Sequence, residues 1–376
     1  MTVMTQKSVI EDADRIVIKV GSALLVGPDG KLRKEWLARL AEDIVALRSS
    51  GTQVILVSSG AVALGRKPLG FEKRPERLEE AQAAAAVGQI RLAQAYQSLF
   101  DSHDIVIAQI LVTIDDLEDR PRFLNARNTI EALLDRGAIP VINENDTVAT
   151  TEIRFGDNDR LAARVAQVAG ADTLILLSDI DGLYDSDPRT NPNASLIRIV
   201  EKITPAIEEM AGPPARVSVG SGGMVTKIAA AKIALSAGCS MIIMSGLAEN
   251  PIKRLLSGET CTIFQASSTP LDVRKQWIQG MMAPQGFLHI DQGAVDALMK
   301  GASLLPAGVV ECDGNFERGD LVAFISPDNH IIGQGLVSYS SSDTSRIQGK
   351  KMSEATDILG YVGRSALVHR DDLVLL

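Results

Sequence analysis

Lys19 interrupts the apolar run Ile16-Val-Ile-Lys-Val20, where an ammonium group is costly unless it is paired or used. The competing reading is an edge strand with a snorkelling lysine. Gly21 and Ser22 follow at once, and Ser58, Ser59 and Gly60 close the run that begins at Gln53. Small residues at the carboxyl ends of strands are where open α/β sheets receive ligands. A second lysine, Lys227, ends the stretch Gly220-Ser-Gly-Gly-Met-Val-Thr-Lys. It is neither a Walker A loop nor a dinucleotide fingerprint, because Val225 stands where either pattern needs its next glycine. What remains is a string of small residues leading into a helix at Met224, with a lysine one turn in. Such a helix start receives phosphate oxygens on its backbone N–H groups; a plain Gly-rich turn with a solvated lysine is the alternative. Three polar clusters join these: Asn143-Glu-Asn-Asp146 after an apolar run, Asp157-Asn-Asp159 opening a helix, and Ser178-Asp179 after another apolar run. An N-cap role for Asp157 or Asn158 accounts for one residue of the second cluster and leaves the others over.

The elements that must carry these groups alternate. Short β-branched runs at 16–20, 53–58, 105–112, 138–142, 173–177 and 240–244 are separated by helical patterns at 35–49, 79–100, 121–135, 158–169 and 224–237. Strands alternating with helices predict an α/β domain, a mainly parallel sheet with helices on both faces. Beyond Gln265 the rhythm changes to short strand-like runs punctuated by glycine, which predicts a small β-rich unit. Most of the polar clusters then fall at strand ends and converge on one crevice.

Composition excludes several classes. The chain has 376 residues, 45% hydrophobic and 23% charged, enough for a sizeable core. A formal charge of -9 and 4% aromatics argue against a protein that coats nucleic acid or anionic membrane. Cys239, Cys261 and Cys312, like the four histidines, are scattered without metal-ligand spacing. The first thirteen residues lack the apolar core of a signal peptide, and no apolar run approaches the roughly 20 residues that span a bilayer. A cytoplasmic protein with reduced thiols is expected.

The stretches VIKVGSA (17–23), VSSGAVALG (57–65), EDRPRFLNARNT (118–129), IPVINENDTVAT (139–150), FGDNDRLAARVA (155–166), LLSDIDGLYDSDPR (176–189) and GSGGMVTKIAAA (220–231) resemble the amino acid kinase family. NENDTVA, GDND and SLLPAG (303–308) are closest to its glutamate-phosphorylating branch. The resemblance covers nearly the whole chain and implies a kinase domain over 14–265, a linker over 266–280 and a PUA-like domain over 281–376. It implies transfer of the ATP γ-phosphoryl group to the side-chain carboxylate of L-glutamate, with Mg²⁺, as the first step of proline synthesis and with proline as inhibitor. By motif position Lys19 and Lys227 are phosphate-binding lysines oriented by Asp159. Ser59, Asn143, Asp146 and Asn158 fall on glutamate contacts. Lys19, Gly21, Ser22, Ser178, Asp179, Ser221, Gly222, Gly223, Met224, Val225, Thr226 and Lys227 fall on nucleotide contacts. Ser178 stands where many members have threonine, which keeps the hydroxyl.

The family also implies a dimer or tetramer, and it sets residues 115–127, with four acidic and three basic side chains, beside the crevice. A solvated helix-capping loop is the plainer reading of that segment. PUA domains elsewhere bind RNA. Here residues 281–376 carry seven Lys/Arg against twelve Asp/Glu, a poor match to phosphate, although Arg346, Lys350 and Lys351 form a local cluster. The competing role is packing on the kinase or shaping assembly.

Overall fold

A computed structural model describes residues 6–149, 157–212, 223–281, 283–361 and 363–376. The chain forms two compact units, 1–270 and 271–376. In the first unit, besides the two-stranded ribbon Leu183–Tyr184 with Leu196–Ile197, the strands are β1 (Arg15–Val20), β2 (Gln53–Ser58), β3 (Ile107–Val112), β4 (Ile139–Glu144), β5 (Thr173–Ser178), β6 (Ile199–Val200), β7 (Ser240–Ser245) and β8 (Cys261–Phe264). They make one sheet in the order β3-β4-β2-β1-β5-β7-β8-β6. All pairings are parallel except β7 with β8.

Register matters more here than strand count. Val20 lies beside Ser58 on one side and Leu177 on the other, and Leu177 lies beside Met244. Val57 lies beside Ile142, so Ser58 and Asn143 are the next pair along. The carboxyl ends of β4, β2, β1, β5 and β7 therefore share one rim. β1 is central, with connections leaving toward both sides, the topology that opens a crevice at that rim.

Alternation along the strands sorts side chains into two core layers. Ile16, Ile18, Val20, Val54, Leu56, Val141, Ile175 and Leu177 pack with α1 (Lys34–Ser49) and α3 (Leu78–Asp101). Val17, Ile55, Val57, Ile142, Leu174 and Leu176 pack on the opposite face with α4 (Arg120–Asp135), α5 (Asp157–Ala169) and α6 (Met224–Ser236). Lys19 shares the second face with Val17, and Asn143 shares the first with Val141. Between β2 and α3 runs the short helix α2 (Ala61–Arg66), entered through Gly60 at φ +99°, a left-handed conformation that favours glycine. α2 and α3 touch backbone to backbone: a Cβ on Gly65 would come within 1.7 Å of the Ala84 carbonyl oxygen, and one on Gly88 within 1.8 Å of that of Ala61.

The N-terminal segment before Asp14, for which the sequence offers no role, includes a helix, Gln6–Glu11. Its Val9 and Ile10 are buried in the first core layer, and the Val9 carbonyl accepts the Thr173 hydroxyl at 2.8 Å.

The second unit begins within α7 (Pro270–Gly280), which covers most of the expected linker. Its sheet has the order 309–314, 286–290, 321–325, 331–336, 373–375, mostly antiparallel around a core that includes Leu288, Phe316, Phe324, Tyr339 and Leu367. Helices Gln292–Met299, Ser341–Ile347 and Met352–Leu359 flank it. Among the described residues no helix is long and apolar enough to cross a membrane.

Candidate active site

At the carboxyl rim the cost of burying Lys19 is met by Asp159, in the first turn of α5. Lys19 Nζ lies 2.6 Å from Asp159 Oδ1, and Lys227 Nζ, from the first turn of α6, donates to Oδ2 at 3.1 Å. The Thr226 hydroxyl also donates to Oδ2, at 3.0 Å. Asp159 is fully buried, Lys19 is 8% exposed and Lys227 4%. Burial by itself would raise the Asp159 carboxyl, but the two lysines outweigh it and hold it at about 2. One carboxylate thus aims two ammonium groups, leaving a net positive charge at the helix starts. Gly21 stands beside them: a Cβ there would sit 3.4 Å from the Leu177 carbonyl oxygen and 3.9 Å from Lys19 Nζ. Ser22 opens the short helix Ser22–Leu25, and the buried Ser178 hydroxyl donates to Asp179 Oδ1 at 3.0 Å on the neighbouring strand end.

A second polar group lies on the α3 side of the sheet. Asn143 Nδ2 donates to Gln89 Oε1 at 3.0 Å. Asp146, 9% exposed, is hydrogen-bonded to Gln89 and faces Arg74. Burial pushes its carboxyl up to about 6, with Gln89 and Arg74 pulling the other way. Ser58 is engaged beneath the rim with the Tyr96 hydroxyl at 3.1 Å. Ser59 Oγ and Asn158 Oδ1, by contrast, are buried with no hydrogen-bond partner among the described residues. Buried polar atoms of this kind call for a ligand or water.

The expected phosphate-side residues Lys19, Asp159 and Lys227 are thus in direct contact, and Gly223, Met224 and Val225 form the start of α6 beside them. Ser221 and Gly222 lie outside the described residues. Asn143 and Asp146 are joined through Gln89, which with Arg74 had no sequence signal: one of several glutamines in an Ala-rich helix reads as solvated. In residues 115–127 the charges pair with one another and with neighbouring helices, Glu118 accepting from Arg164 of α5 at 2.7 Å. Thr113 and Asp116 form a capping box, Asp116 accepts from Arg122 at 2.7 Å, and Arg127 donates to Glu131 at 2.8 Å.

The amino acid kinase family model matches residues 14–245, more than half the chain. The chain belongs to the amino acid kinase family. Residues 286–359 match the PUA domain model. A glutamate 5-kinase of Paramagnetospirillum magneticum is 55% identical over 96% of this chain and 98% of that protein. One of Brucella ovis is 54% identical over 97% of each. Among solved structures, UMP kinase from Ureaplasma parvum has a TM-score of 0.48 at 18% identity, covering 67% of this chain and 98% of that one. Among the described residues of this amino acid kinase, no group of three or more His, Cys, Asp or Glu could hold a metal ion.

Proposed function

We propose that the chain phosphorylates the γ-carboxylate of L-glutamate from ATP, giving L-glutamyl 5-phosphate, the first step of proline biosynthesis. The observation that carries this reading is the buried Asp159 with its two lysines on the same sheet rim as the Asn143–Asp146 group, in a chain 55% identical to a glutamate 5-kinase.

The acceptor carboxylate has an ordinary pKa of about 4.3, so it is already ionised at neutral pH and needs no general base. The difficulty is repulsion between an anion and a polyphosphate. Lys19 and Lys227 neutralise that charge around the transferring group, and Asp159 holds them in place so that little reorganisation accompanies the reaction. A carboxylate oxygen forms its bond to the γ-phosphorus as the bond to the bridging oxygen breaks, and ADP departs. Gly21 and Ser22, the α6 start through Thr226, and Ser178 with Asp179 contact the nucleotide. Magnesium, held through the ATP phosphates, would supply screening of the phosphate charge beside Lys19 and Lys227. Asp146 receives the substrate's α-ammonium, and Ser59, Asn143 and Asn158 supply hydrogen bonds.

The enzyme works in the cytoplasm as a homo-oligomer, a dimer or tetramer, and proline inhibits it at or near the glutamate site. Formation of γ-glutamyl hydroxamate from glutamate, ATP and Mg²⁺, with aspartate and UMP as control acceptors, tests the reaction. Activity on glutamate that falls as proline is added is the expected result. Preference for aspartate or UMP refutes the substrate, and indifference to proline refutes the regulation.

A further inference from the structure

Gln89 sits on the face of α3 that packs against the sheet, 9% exposed, and all the hydrogen-bonding capacity of its amide is taken up. Its Oε1 accepts from Asn143 Nδ2 at 3.0 Å and from Gln109 Nε2 at 3.3 Å. Its Nε2 donates to the Glu144 carbonyl oxygen at 3.3 Å, and its side chain is also hydrogen-bonded to Asp146. A carbonyl and an ionised carboxylate can only accept, so one orientation of the Gln89 amide satisfies all four neighbours. Turned over, it would set its oxygen against two acceptors and its N–H groups against two donors. That orientation in turn obliges Asn143 to present its NH₂ to Gln89, with its own carbonyl oxygen turned away. Behind the amides is a small cavity lined by Leu92, Ile107 and Val141 together with Gln89, Gln109 and Asn143. Hydrogen bonds, more than close packing, therefore fix the orientation.

We propose that Gln89 is a positioning residue for substrate recognition: it fixes the amide polarity of Asn143 and the direction of Asp146, so that both present acceptors to an α-ammonium group. This deepens the glutamate reading and rests on it. A site built this way discriminates against a dicarboxylate of the same length that lacks the ammonium, because its acceptors would then be buried without a donor.

The test uses the full-length enzyme with Gln89→Met, of similar length and apolar, and Gln89→Glu, of the same shape but opposing Asp146. Glutamate kinetics are measured at saturating ATP and Mg²⁺, with glutarate as the competitive probe lacking the amino group. Wild-type activity on glutamate, measured first, tests the underlying reading separately. For Gln89→Met the glutamate KM should rise about tenfold or more, the effect of losing hydrogen bonds to a charged group. The glutarate inhibition constant and the ATP KM should stay within about twofold. Gln89→Glu should weaken glutamate at least as much, and it carries the test alone if the methionine variant does not fold. Equal losses for glutamate and glutarate, a loss in kcat only, or unchanged glutamate kinetics would overturn the assignment.

Discussion

Replacing Asp159 by asparagine isolates what one buried carboxylate does for two lysines. The substitution keeps the shape and one acceptor and removes the charge 2.6 Å from Lys19 and 3.1 Å from Lys227. The carboxyl is held at about 2 against an ordinary 3.8, which at 1.36 kcal/mol per unit corresponds to about 2.5 kcal/mol favouring its ionised form. Removing one partner from a buried ion pair typically costs 3–5 kcal/mol, because the remaining charge is uncompensated. Taking about 3 kcal/mol, and 2–4 °C per kcal/mol for a unit of this size, the melting temperature should fall by about 6–12 °C. Because the folded-state value is depressed, this contribution is complete above pH 4 and disappears as pH falls toward 2. The gap between wild type and variant should close over that interval. Nucleotide phosphates bring negative charge back to the lysines, so Mg·ADP should raise the variant's melting temperature more than the wild type's. Differential scanning fluorimetry across pH, with and without Mg·ADP, reads all three effects, and kcat should drop about a hundredfold as the ammonium groups lose their fixed direction. A melting loss below about 2 °C with kcat within threefold of wild type would refute the reasoning.

Three further outcomes follow from the same geometry. Below about pH 6 the Asp146 carboxyl gains its proton and can no longer pair with an ammonium, so kcat/KM for glutamate should fall about tenfold per pH unit. Asp146→Asn should remove that limb and raise the glutamate KM; an identical limb in the variant would reassign the titration. Gly65→Ala or Gly88→Ala forces α2 and α3 apart and should cost about 1–3 kcal/mol, seen as a lower melting temperature together with a higher glutamate KM. Deleting residues 1–12 removes the buried Val9 and Ile10 and should cost about 3–6 kcal/mol at 1.5–3 kcal/mol per side chain, with glutamate KM unchanged in the folded fraction.

The parallel sheet was legible because its strands are short apolar runs bounded by small residues. Lys19 was legible for the opposite reason, as a charge where the run should have been unbroken. The contact of Lys19 with Asp159 and Lys227 is a tertiary fact, since 140 and 68 residues separate the aspartate from its partners in the chain. Gln89 was not legible: Gln94 and Gln97 on the same helix are solvated, and nothing local distinguishes a buried glutamine from those. Beyond Gln265 the short apolar runs at 309–310, 321–325, 331–332, 336–337 and 366–368 read as strands; those at 309–310, 321–325 and 331–332 lie in strands, whereas Gly286–Ile290 and Leu373–Leu375 gave no such signal. Residues 366–368 make only an isolated bridge, Val368 to Leu304. There the flanking helices are short, and periodicity over two turns is too brief to stand out from strand alternation.

The two rims of the first sheet are finished differently. At the amino rim, Arg15 donates to Asp172, Gln53 and Ala169, the Thr173 hydroxyl to the Val9 carbonyl, and the backbone N–H of Ser240 to the Asp172 carbonyl. At the carboxyl rim Ser59 and Asn158 keep buried polar atoms in reserve. Durability and selectivity are thereby lodged at opposite ends of the same strands. Changes at the fastened end should alter yield and shelf life without touching which acceptor is chosen. Loops at the other end can be exchanged to suit a new acceptor while the fastenings that hold the strands together stay as they are.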